Sequence, residues 1–257
     1  MDDRWPGYYT RLAPFRDLFR GGHPILTYHK FGPRPRGVRL RGLYLSAPLF
    51  EAQLAELRAE GYRSASPGRG GVGGGERLIS LTIDDGFRSV LEHALPVLRR
   101  HGMQATLYLV ADRIGRWNDW EQAEGEVAAP LMEAGEIREW LAAGQRIGSH
   151  TLTHPWLTRI SLAQAQEEIG AARRKLEDQF GIAITDFCYP YGDWNPAVRD
   201  LVQEAGYVTS TTTDFGVNAA DTDLFALRRV TARHATRSWR AFQSWVRRTV
   251  GGRAKSG

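Results

Sequence analysis

Two pairs of side chains in this sequence have the types and the spacing of a hydrolytic metal site. Asp84 and Asp85 stand next to each other in LTIDDGF, directly after an apolar segment. Neighbouring side chains of an extended segment point to opposite sides, so one carboxylate can bind a metal ion while the other accepts a proton. His150 and His154 stand four residues apart in SHTLTH. Two histidines and one carboxylate leave positions open for water and substrate, as catalytic metal sites require.

Each pair also has an ordinary structural explanation. An Asp-Asp-Gly sequence is typical of a turn with solvated carboxylates, and two histidines at this spacing also occur on protein surfaces. Pro155 disfavours helix at His154, so we expect the histidines in a turn after a strand rather than on one face of a helix. The two pairs together, rather than either alone, indicate a metal site.

Alternating apolar and amphipathic segments predict the strands and helices that position these side chains. Seven strands are predicted, over residues 23–29, 77–83, 104–110, 145–150, 184–189, 207–212 and 225–230. Helices are predicted over residues 49–60, 88–101, 131–143, 161–180, 196–205 and 237–249, with a flexible loop at 66–76 and an irregular segment at 111–130. Such strand–helix units imply a parallel sheet covered by helices, and seven strands suit a barrel with its site at the carboxyl ends of the strands.

Composition excludes several classes of function. The 257 residues are 42% apolar and 25% charged, a normal globular mixture. A single cysteine, Cys188, excludes an internal disulfide and a multi-cysteine metal site. The net charge is 34 − 29 = +5, and aromatic residues do not alternate with the basic ones, so no nucleic-acid partner is expected. No apolar run reaches the ~18 residues of a membrane span, and the first residues lack a secretory signal's apolar core, so we expect a cytoplasmic protein.

Three ordered segments resemble the motifs of a known family. LTIDDGF, SHTLTHPWLT and FCYPYGDWN are similar, in order and spacing, to the first three motifs of the polysaccharide deacetylases, the NodB-homology carbohydrate esterases of family 4. The resemblance covers residues 24 to 230 and implies an α/β fold, a distorted (β/α)7 barrel in a single domain. We therefore expect this domain over residues 22–250, after an N-terminal extension (1–21) and before a flexible basic tail (251–257).

The resemblance also implies a role for each motif residue. Asp84 resembles the family's general base, and Asp85, His150 and His154 resemble the ligands of a divalent metal ion. Tyr191 resembles the residue whose backbone N–H helps to hold the oxyanion. Zinc is the first expectation, while cobalt, nickel, iron and manganese suit similar ligands. The implied activity is metal-dependent removal of N-acetyl groups from an amino sugar of the N-acetylglucosamine type in a polysaccharide, oligosaccharide or glycan precursor.

Two other functions remain open at this stage. The same metal site would also hydrolyse a non-glycan amide or ester, and a non-catalytic relic would bind glycans without turnover. Aromatic residues beside the motifs favour a glycan, because ring faces suit the C–H surfaces of sugars. Trp117 and Trp120, in the irregular segment, are expected at the rim of the site. The residues expected to contact substrate are Tyr189, Pro190, Trp156 and Trp194.

Cys188 occupies a position at which the resembled family often has an arginine that supports the catalytic aspartate. A thiol supplies neither the charge nor the donors of a guanidinium group. Arg228 and Arg229, at the end of a later predicted strand, are candidates for this support. Ordinary surface charge is the alternative for both.

Two histidines are candidates for the general acid. His29, in LTYHKF at a strand end, fits the pattern of a subgroup of the family that acts on poly-N-acetylglucosamine. His234, in TARHATRSW, lacks the Leu-x-His context of the family's usual late motif, so His29 is preferred. A buried structural histidine is the alternative for either.

Basic residues cluster in the first twenty residues, at 34–41 and at 247–255. They suit peripheral contact with an anionic membrane or a phosphorylated glycan carrier, and a solvated surface is the plainer interpretation. With the expected cytoplasmic location, the first interpretation favours a lipid-linked or nucleotide-linked sugar precursor at the inner membrane face.

Overall fold

Parallel strands form the centre of the fold. The computed structural model describes residues 6–68 and 76–234. The strands of this part of the chain are β1 (Ile25–Tyr28), β2 (Lys30–Phe31), β3 (Tyr44–Leu45), β4 (Tyr62–Ser64), β5 (Arg77–Ile83), β6 (Thr106–Leu109), β7 (Arg146–Ser149), β8 (Asp186–Cys188), β9 (Thr209–Phe215) and β10 (Leu227–Thr231).

Seven of these strands close into a barrel. They follow the order β1-β10-β9-β8-β7-β6-β5, and β5 pairs again with β1 in parallel register, with Leu26 opposite Leu81. The predicted seven-stranded α/β barrel is therefore confirmed. β1 and β6 are buried along their whole length, as expected for parallel strands that are covered on both faces. β4 pairs only with β5, and β2 pairs with β3 in a separate small ladder.

Helices cover the outside of the barrel. They are α1 (Arg16–Arg20), α2 (Ala47–Ala59), α3 (Leu95–His101), α4 (Ala134–Ala142), α5 (Leu162–Phe180) and α6 (Pro196–Glu204). α5 shows why the predicted boundaries hold: Ser161 and Gln164 form a capping box at its start. Gly181, with φ of +68°, ends it in the left-handed conformation. Phe50, Leu54 and Leu57 of α2 are fully buried against the core.

Some predicted elements differ in detail from the structure for identifiable reasons. The helix predicted over 88–101 is confirmed over those residues, but it contains a π-helical turn at Val90–Ala94 before α3, since Pro96 has no N–H to continue a regular ladder. The helix predicted from residue 131 begins only at Ala134, because Leu131 pairs with Phe87 beside the carboxylate motif. β2, β3 and β4 were not predicted, since two or three residues carry too little periodicity.

Part of the predicted N-terminal extension packs against the barrel. Tyr9, Phe15 and Phe19 are buried and pack against one another, with the Tyr9 ring stacked on Phe19 and edge-on to Phe15. The backbone N–H of Tyr9 donates to the carbonyl of Thr231 at the end of β10 (2.9 Å). The predicted helix 237–249, the tail 251–257 and residues 69–75 of the predicted loop lie outside the described residues. Among the described helices, none combines the length and the apolar character that crossing a membrane requires.

Candidate active site

The carboxyl ends of the barrel strands open into a cavity of about 720 Å³. Asp84 and Asp85 directly follow β5, and His150 directly follows β7. The residues that line the cavity are His29, Leu40, Leu43, Asp84, Asp85, Trp120, Glu121, His150, His154, Trp156, Tyr189, Tyr191, Thr213, Arg229 and Thr231. The fold therefore brings the two aspartates and the two predicted histidines to one place.

Asp85, His150 and His154 present three potential metal-ligand atoms to one another. Asp85 Oδ1 lies 3.5 Å from His150 Nε2 and 3.4 Å from His154 Nε2, and the three side chains are buried. His150 Nδ1 lies 2.7 Å from the carbonyl oxygen of Cys188, which as acceptor fixes the proton on Nδ1 and leaves Nε2 to bind a metal. One carboxylate oxygen with two imidazole nitrogens is a donor set that suits zinc and similar divalent ions.

The charges of Asp85 and His154 suit a cation. Burial opposes ionisation of Asp85, but hydrogen bonds with His150 and His154 hold the pKa of its carboxyl well below the usual range. Burial lowers the pKa of His154 and so favours the neutral imidazole that metal binding needs. The carboxylate is thus ionised while a ring nitrogen remains available as a lone-pair donor. Burial lowers the pKa of His150, but its contacts with Cys188 and Asp85 raise that pKa well above the ordinary value, so His150 must give up a proton when it binds a metal.

Left-handed backbone is concentrated at this site. In the described part of the chain, the non-glycine residues with positive φ are Asp85 (+76°), Thr151 (+67°), His154 (+68°) and Tyr191 (+61°). Such a conformation costs a residue with a Cβ atom about 1–3 kcal/mol, and it persists where the surrounding structure enforces it. Thr151 Oγ1 accepts the backbone N–H of His154 (3.0 Å) and so fixes the turn that the sequence predicted before Pro155.

Arg229 holds Asp84, the first aspartate of the motif. Its Nη1 donates to Asp84 Oδ1 and its Nη2 to Oδ2, both at 2.8 Å, in a buried bidentate pair. Burial opposes ionisation of Asp84, but Arg229 and then His29 hold the pKa of its carboxyl below the usual value. Arg229 Nε also donates to the Thr212 carbonyl (2.6 Å), which fixes the plane of the guanidinium group. Asp84 is therefore an ionised and immobilised carboxylate.

Strand geometry separates the two candidate arginines. Successive side chains of a strand point to opposite faces, and in β10 Arg228 is exposed whereas Arg229 is buried inside the barrel. Arg229 Nη2 also lies 3.3 Å from the sulfur of Cys188. The guanidinium thus lies against the position at which the resembled family often has an arginine, but it comes from β10 instead of β8. Arg228 is not among the cavity residues.

The two candidate acids lie in different places. His29 lines the cavity, with its Nε2 atom 3.7 Å from Asp84 Oδ2 and its side chain 20% exposed. Burial lowers the pKa of His29, against the opposing charges of Asp84 and Asp85. His234 is exposed, does not line the cavity, and accepts the backbone N–H of Ser46 through its Nε2 atom (3.1 Å). Of the two candidate acids, His29 is the one that lies close enough to Asp84 to reach a substrate bound beside that carboxylate.

Aromatic rings form one wall of the cavity. Trp156 and Tyr191 stack face to face, with ring centroids 4.1 Å apart and an interplanar angle of 5°. Both rings are more than a third exposed. The Arg159 guanidinium lies over the Trp156 ring, 4.1 Å from its centroid. Tyr191 and Arg159 therefore lie on the Trp156 ring, and the wall offers the cavity aromatic surface rather than a free Trp156 face.

The other predicted substrate contacts differ among themselves. Tyr189 lines the cavity while its hydroxyl donates to the Phe225 carbonyl (3.0 Å). Pro190 is buried in a short 3₁₀ turn, and Trp194 packs against Tyr189 without lining the cavity. Trp117 is exposed away from the cavity residues. Pro190 and Trp194 are therefore not among the residues that line the cavity, and their contact with substrate stays a prediction.

Two cavity residues, Trp120 and Glu121, come from the irregular segment 111–130. Trp120 was expected at the rim, but its ring stacks on His154, 4.7 Å between centroids. Glu121 was not singled out from the sequence, and it pairs with the buried Lys30. Burial and the charge of Asp85 raise the pKa of Glu121, against the effects of Lys30 and Asn118. No periodicity or motif marks this segment, so only the folded chain shows its position.

Comparison with known proteins agrees with this geometry. A model of the polysaccharide deacetylase family matches residues 71–210, more than half of the chain. YxkH of Bacillus subtilis, which is named after the same family, is 27% identical over 80% of this chain and 70% of its own length. The peptidoglycan-N-acetylglucosamine deacetylase PgdA of Listeria monocytogenes is 28% identical over 48% of this chain. The chain spans only 23% of PgdA.

The fold also matches solved structures. The structure of IcaB from Ammonifex degensii superposes with a TM-score of 0.69 at 25% identity. The match covers 88% of this chain and 97% of IcaB. The likeness therefore extends over nearly the whole barrel and well beyond the three sequence motifs.

Proposed function

We propose that this chain, which belongs to the polysaccharide deacetylase family, is a metal-dependent hydrolase that removes N-acetyl groups from amino sugars of the N-acetylglucosamine type. One observation carries the proposal. A single cavity holds a metal-ligand set, Asp85 with His150 and His154, together with a second, ionised carboxylate on Asp84. A ligand atom of Asp84 lies within 4.8 Å of one on His150, so a proton acceptor adjoins the metal position.

Asp84 is suited to accept the proton of the attacking water. A divalent ion on Asp85, His150 and His154 would supply Lewis-acid activation of that water and of the amide carbonyl. Arg229 keeps Asp84 ionised and fixes both of its oxygens, so the base does not have to be reoriented during the reaction. Zinc is the ion that this donor set favours first, with cobalt, nickel, iron and manganese as alternatives.

Two further groups complete the proposed reaction. The backbone N–H of Tyr191 donates to the oxyanion of the tetrahedral intermediate, and the left-handed conformation of Tyr191 sets the direction of that N–H. His29 protonates the departing amine, because an amine anion is a very poor leaving group. His29 lines the cavity on the side of Asp84, so the proton that Asp84 accepts lies close to the histidine that must donate one.

The aromatic wall and the relatives support a glycan substrate. Trp156 and Tyr191 line the cavity with aromatic surface, which suits the C–H surface of a sugar. PgdA is named for the deacetylation of N-acetylglucosamine in peptidoglycan. The proposed substrate is therefore an N-acetylated polysaccharide, oligosaccharide or glycan precursor.

A location at an anionic membrane surface is a second part of the proposal. Arg34, Arg36, Arg39 and Arg41 are exposed in the loop that brings Leu40 to the cavity, where their charge would attract anionic lipid. A lipid-linked or nucleotide-linked sugar precursor at the inner membrane face would fit this arrangement. Sedimentation with phosphatidylserine vesicles tests it, and no binding at low salt would contradict it.

Acetate release tests the activity. The wild-type protein with one equivalent of zinc is incubated with N-acetylglucosamine oligomers, and acetate is measured. Asp84→Asn keeps the shape of the side chain but removes the base, so we expect kcat to fall about 100-fold to 10,000-fold. No acetate from the wild type with any of the five metals, or full activity in Asp84→Asn, would contradict the proposal. Glycan binding without turnover would indicate a non-catalytic glycan-binding protein. Hydrolysis of non-glycan amides or esters alone would indicate that the same metal site acts on a different substrate class.

A further inference from the structure

A buried ion pair lies beside the metal ligands, and the proposed reaction does not use it. Glu121 belongs to the 3₁₀ segment Asp119–Glu124 and lines the same cavity as Asp85. Lys30 follows His29 in the chain, and its Nζ atom lies 2.6 Å from Glu121 Oε2. The two side chains are only 1% and 7% exposed. The pair therefore joins β2 to the segment whose Trp120 covers His154.

Packing alone does not explain this pair. Removing two charges from water costs several kcal/mol per ion, and apolar residues of similar size are often as stable in such a place. Here the chain surrounds the pair with specific partners. The Lys30 ammonium lies 4.4 Å from the ring centre of Phe87, and Asn118 donates through its Nδ2 atom to Glu121 Oε2. Asn118 is itself held through Oδ1, which accepts the backbone N–H of Ala129 (2.6 Å).

These partners occupy one oxygen of the carboxylate and leave the other available. Both Lys30 and Asn118 donate to Oε2. No donor on a described residue forms a hydrogen bond with Oε1. Oε1 is also not one of the fully buried polar atoms that lack a partner, so it is accessible to a ligand. Glu121 therefore offers the cavity one oxygen that can only accept hydrogen bonds, on a side chain that is already fixed in place.

We propose that Glu121 is a substrate-binding residue whose Oε1 atom accepts a hydrogen bond from a hydroxyl group of the sugar that carries the reacting acetamido group. The ligand class rests on the proposed function, and the inference adds a residue that recognises it. Hydroxyl groups are the donors that a sugar ring offers, and a carboxylate oxygen fixed by Lys30 on the same carboxyl group is a suitable acceptor for them. Because Lys30 and Asn118 hold the carboxylate, little further ordering is needed when the sugar binds.

Binding of an N-acetylglucosamine oligomer, measured by titration calorimetry, tests this role. In Glu121→Gln, the donors of Lys30 and Asn118 require the amide oxygen, so the amide N–H₂ faces the cavity and the acceptor is replaced by a donor. We expect the Kd to rise about tenfold or more. Oligomers that lack the hydroxyl at C3 or at C6 sharpen the test. For one of these two oligomers, we expect the Kd of the wild type to rise by the same factor. The Kd of Glu121→Gln for that oligomer should show no further rise.

Two control variants separate recognition from structure. Lys30→Met/Glu121→Gln removes both charges, so no buried charge is left unpaired, and its Kd should rise as much as that of Glu121→Gln. Asp119→Asn removes an exposed carboxylate from the same segment and should keep Kd within twofold. A Kd within twofold of wild type in the double variant, or equal losses with both deoxy oligomers in both proteins, would overturn the inference.

Acetate release is recorded on the same samples, so that the two proposals can fail separately. A wild type that binds the oligomer without releasing acetate contradicts the proposed function, while the ratio of Kd values still decides the role of Glu121. A wild type that neither binds nor hydrolyses the oligomer overturns both.

Discussion

At the scale of single residues, the position of one guanidinium group sets the properties of the proposed base. Arg229 makes a bidentate pair with Asp84, and its Nη2 atom lies 3.3 Å from Cys188. The guanidinium of β10 thus lies beside Cys188 of β8. A buried carboxylate without such a partner would have a raised pKa and would be a less ionised base.

Moving this charge between the two strands tests its role. Arg229→Cys leaves Asp84 buried without a partner, so we expect loss of at least about 3 kcal/mol of stability and most of kcat. The double variant Cys188→Arg/Arg229→Cys restores a guanidinium near Asp84 from β8, and we expect it to recover at least tenfold in kcat over the single variant, about 1.4 kcal/mol. Unfolding free energy and acetate release are measured together. A single variant with wild-type kcat would contradict the account.

The pH dependence of kcat tests His29 as the acid. Burial lowers its pKa below the ordinary 6.5, so its protonated fraction falls as the pH rises through a value under 6.5. Wild-type kcat on an amide substrate should therefore decline as the pH rises through that value. In His29→Gln, we expect kcat to fall about 100-fold to 10,000-fold and this decline with pH to disappear. His234→Gln is the control, since His234 is exposed outside the cavity, and it should keep the wild-type profile. An unchanged profile in His29→Gln would show that another group donates the proton.

The sequence indicated those site residues that lie in continuous motifs. Asp84, Asp85, His150 and His154 follow strand ends within a few residues of recognisable patterns, so the cavity could be anticipated from them. The choice between Arg228 and Arg229 could not be anticipated, because it depends on which side chains of β10 point into the barrel. Glu121 was missed because its position results from tertiary contacts with Lys30, not from any local pattern.

At the scale of secondary-structure elements, the barrel strands meet through a buried polar contact at the end opposite the cavity. His23, just before β1, lies with Nε2 2.8 Å from the Ser80 hydroxyl of β5, while its Nδ1 atom is buried and has no hydrogen-bond partner among the described residues. Burial lowers the pKa of His23 to about 4. His23 is therefore neutral in this contact at pH 7.

Acid should therefore weaken this contact. The unfolded chain takes up a proton on His23 below about pH 6.5, whereas the folded chain does so only near pH 4. His23 thus contributes stability that is present above pH 6.5 and lost as the pH falls towards 4, on the order of 3 kcal/mol in full. Urea unfolding at a series of pH values compares wild type with His23→Gln, which does not titrate. Parallel curves for the two proteins would contradict the expected difference.

The long strands and helices were predictable because their apolar periodicity or their caps lie within one segment. α5 has both a capping serine and a terminal glycine. The late start of α4 was not predictable, since it follows from the pairing of Leu131 with Phe87. Local conflicts of this kind are decided by tertiary contacts.

At the scale of the whole molecule, the barrel gathers strained and charged residues at one end. The four left-handed non-glycine residues of the described chain all lie at the cavity or within its turns. A metal ion bound to Asp85, His150 and His154 would tie together the ends of β5 and β7. Binding to the folded state alone stabilises it by mass action.

Metal should therefore raise the melting temperature. At 100 times its Kd, an ion that binds only the folded chain adds about 2.7 kcal/mol of stability. We expect a clear rise in Tm when zinc is added to chelator-treated wild type, and little or none for His154→Ala. Scanning calorimetry measures both. An equal rise in the two proteins would show that the ion binds elsewhere.

In the proposed function, one metal ion at Asp85, His150 and His154 enables amide hydrolysis at Asp84. A titration of chelator-treated protein with zinc tests it most directly, with acetate release from an N-acetylglucosamine oligomer as the readout. The account predicts no release without metal and a linear rise that ends at one equivalent. Full release from the metal-free protein, or none at any zinc concentration or with cobalt, nickel, iron or manganese, would contradict it.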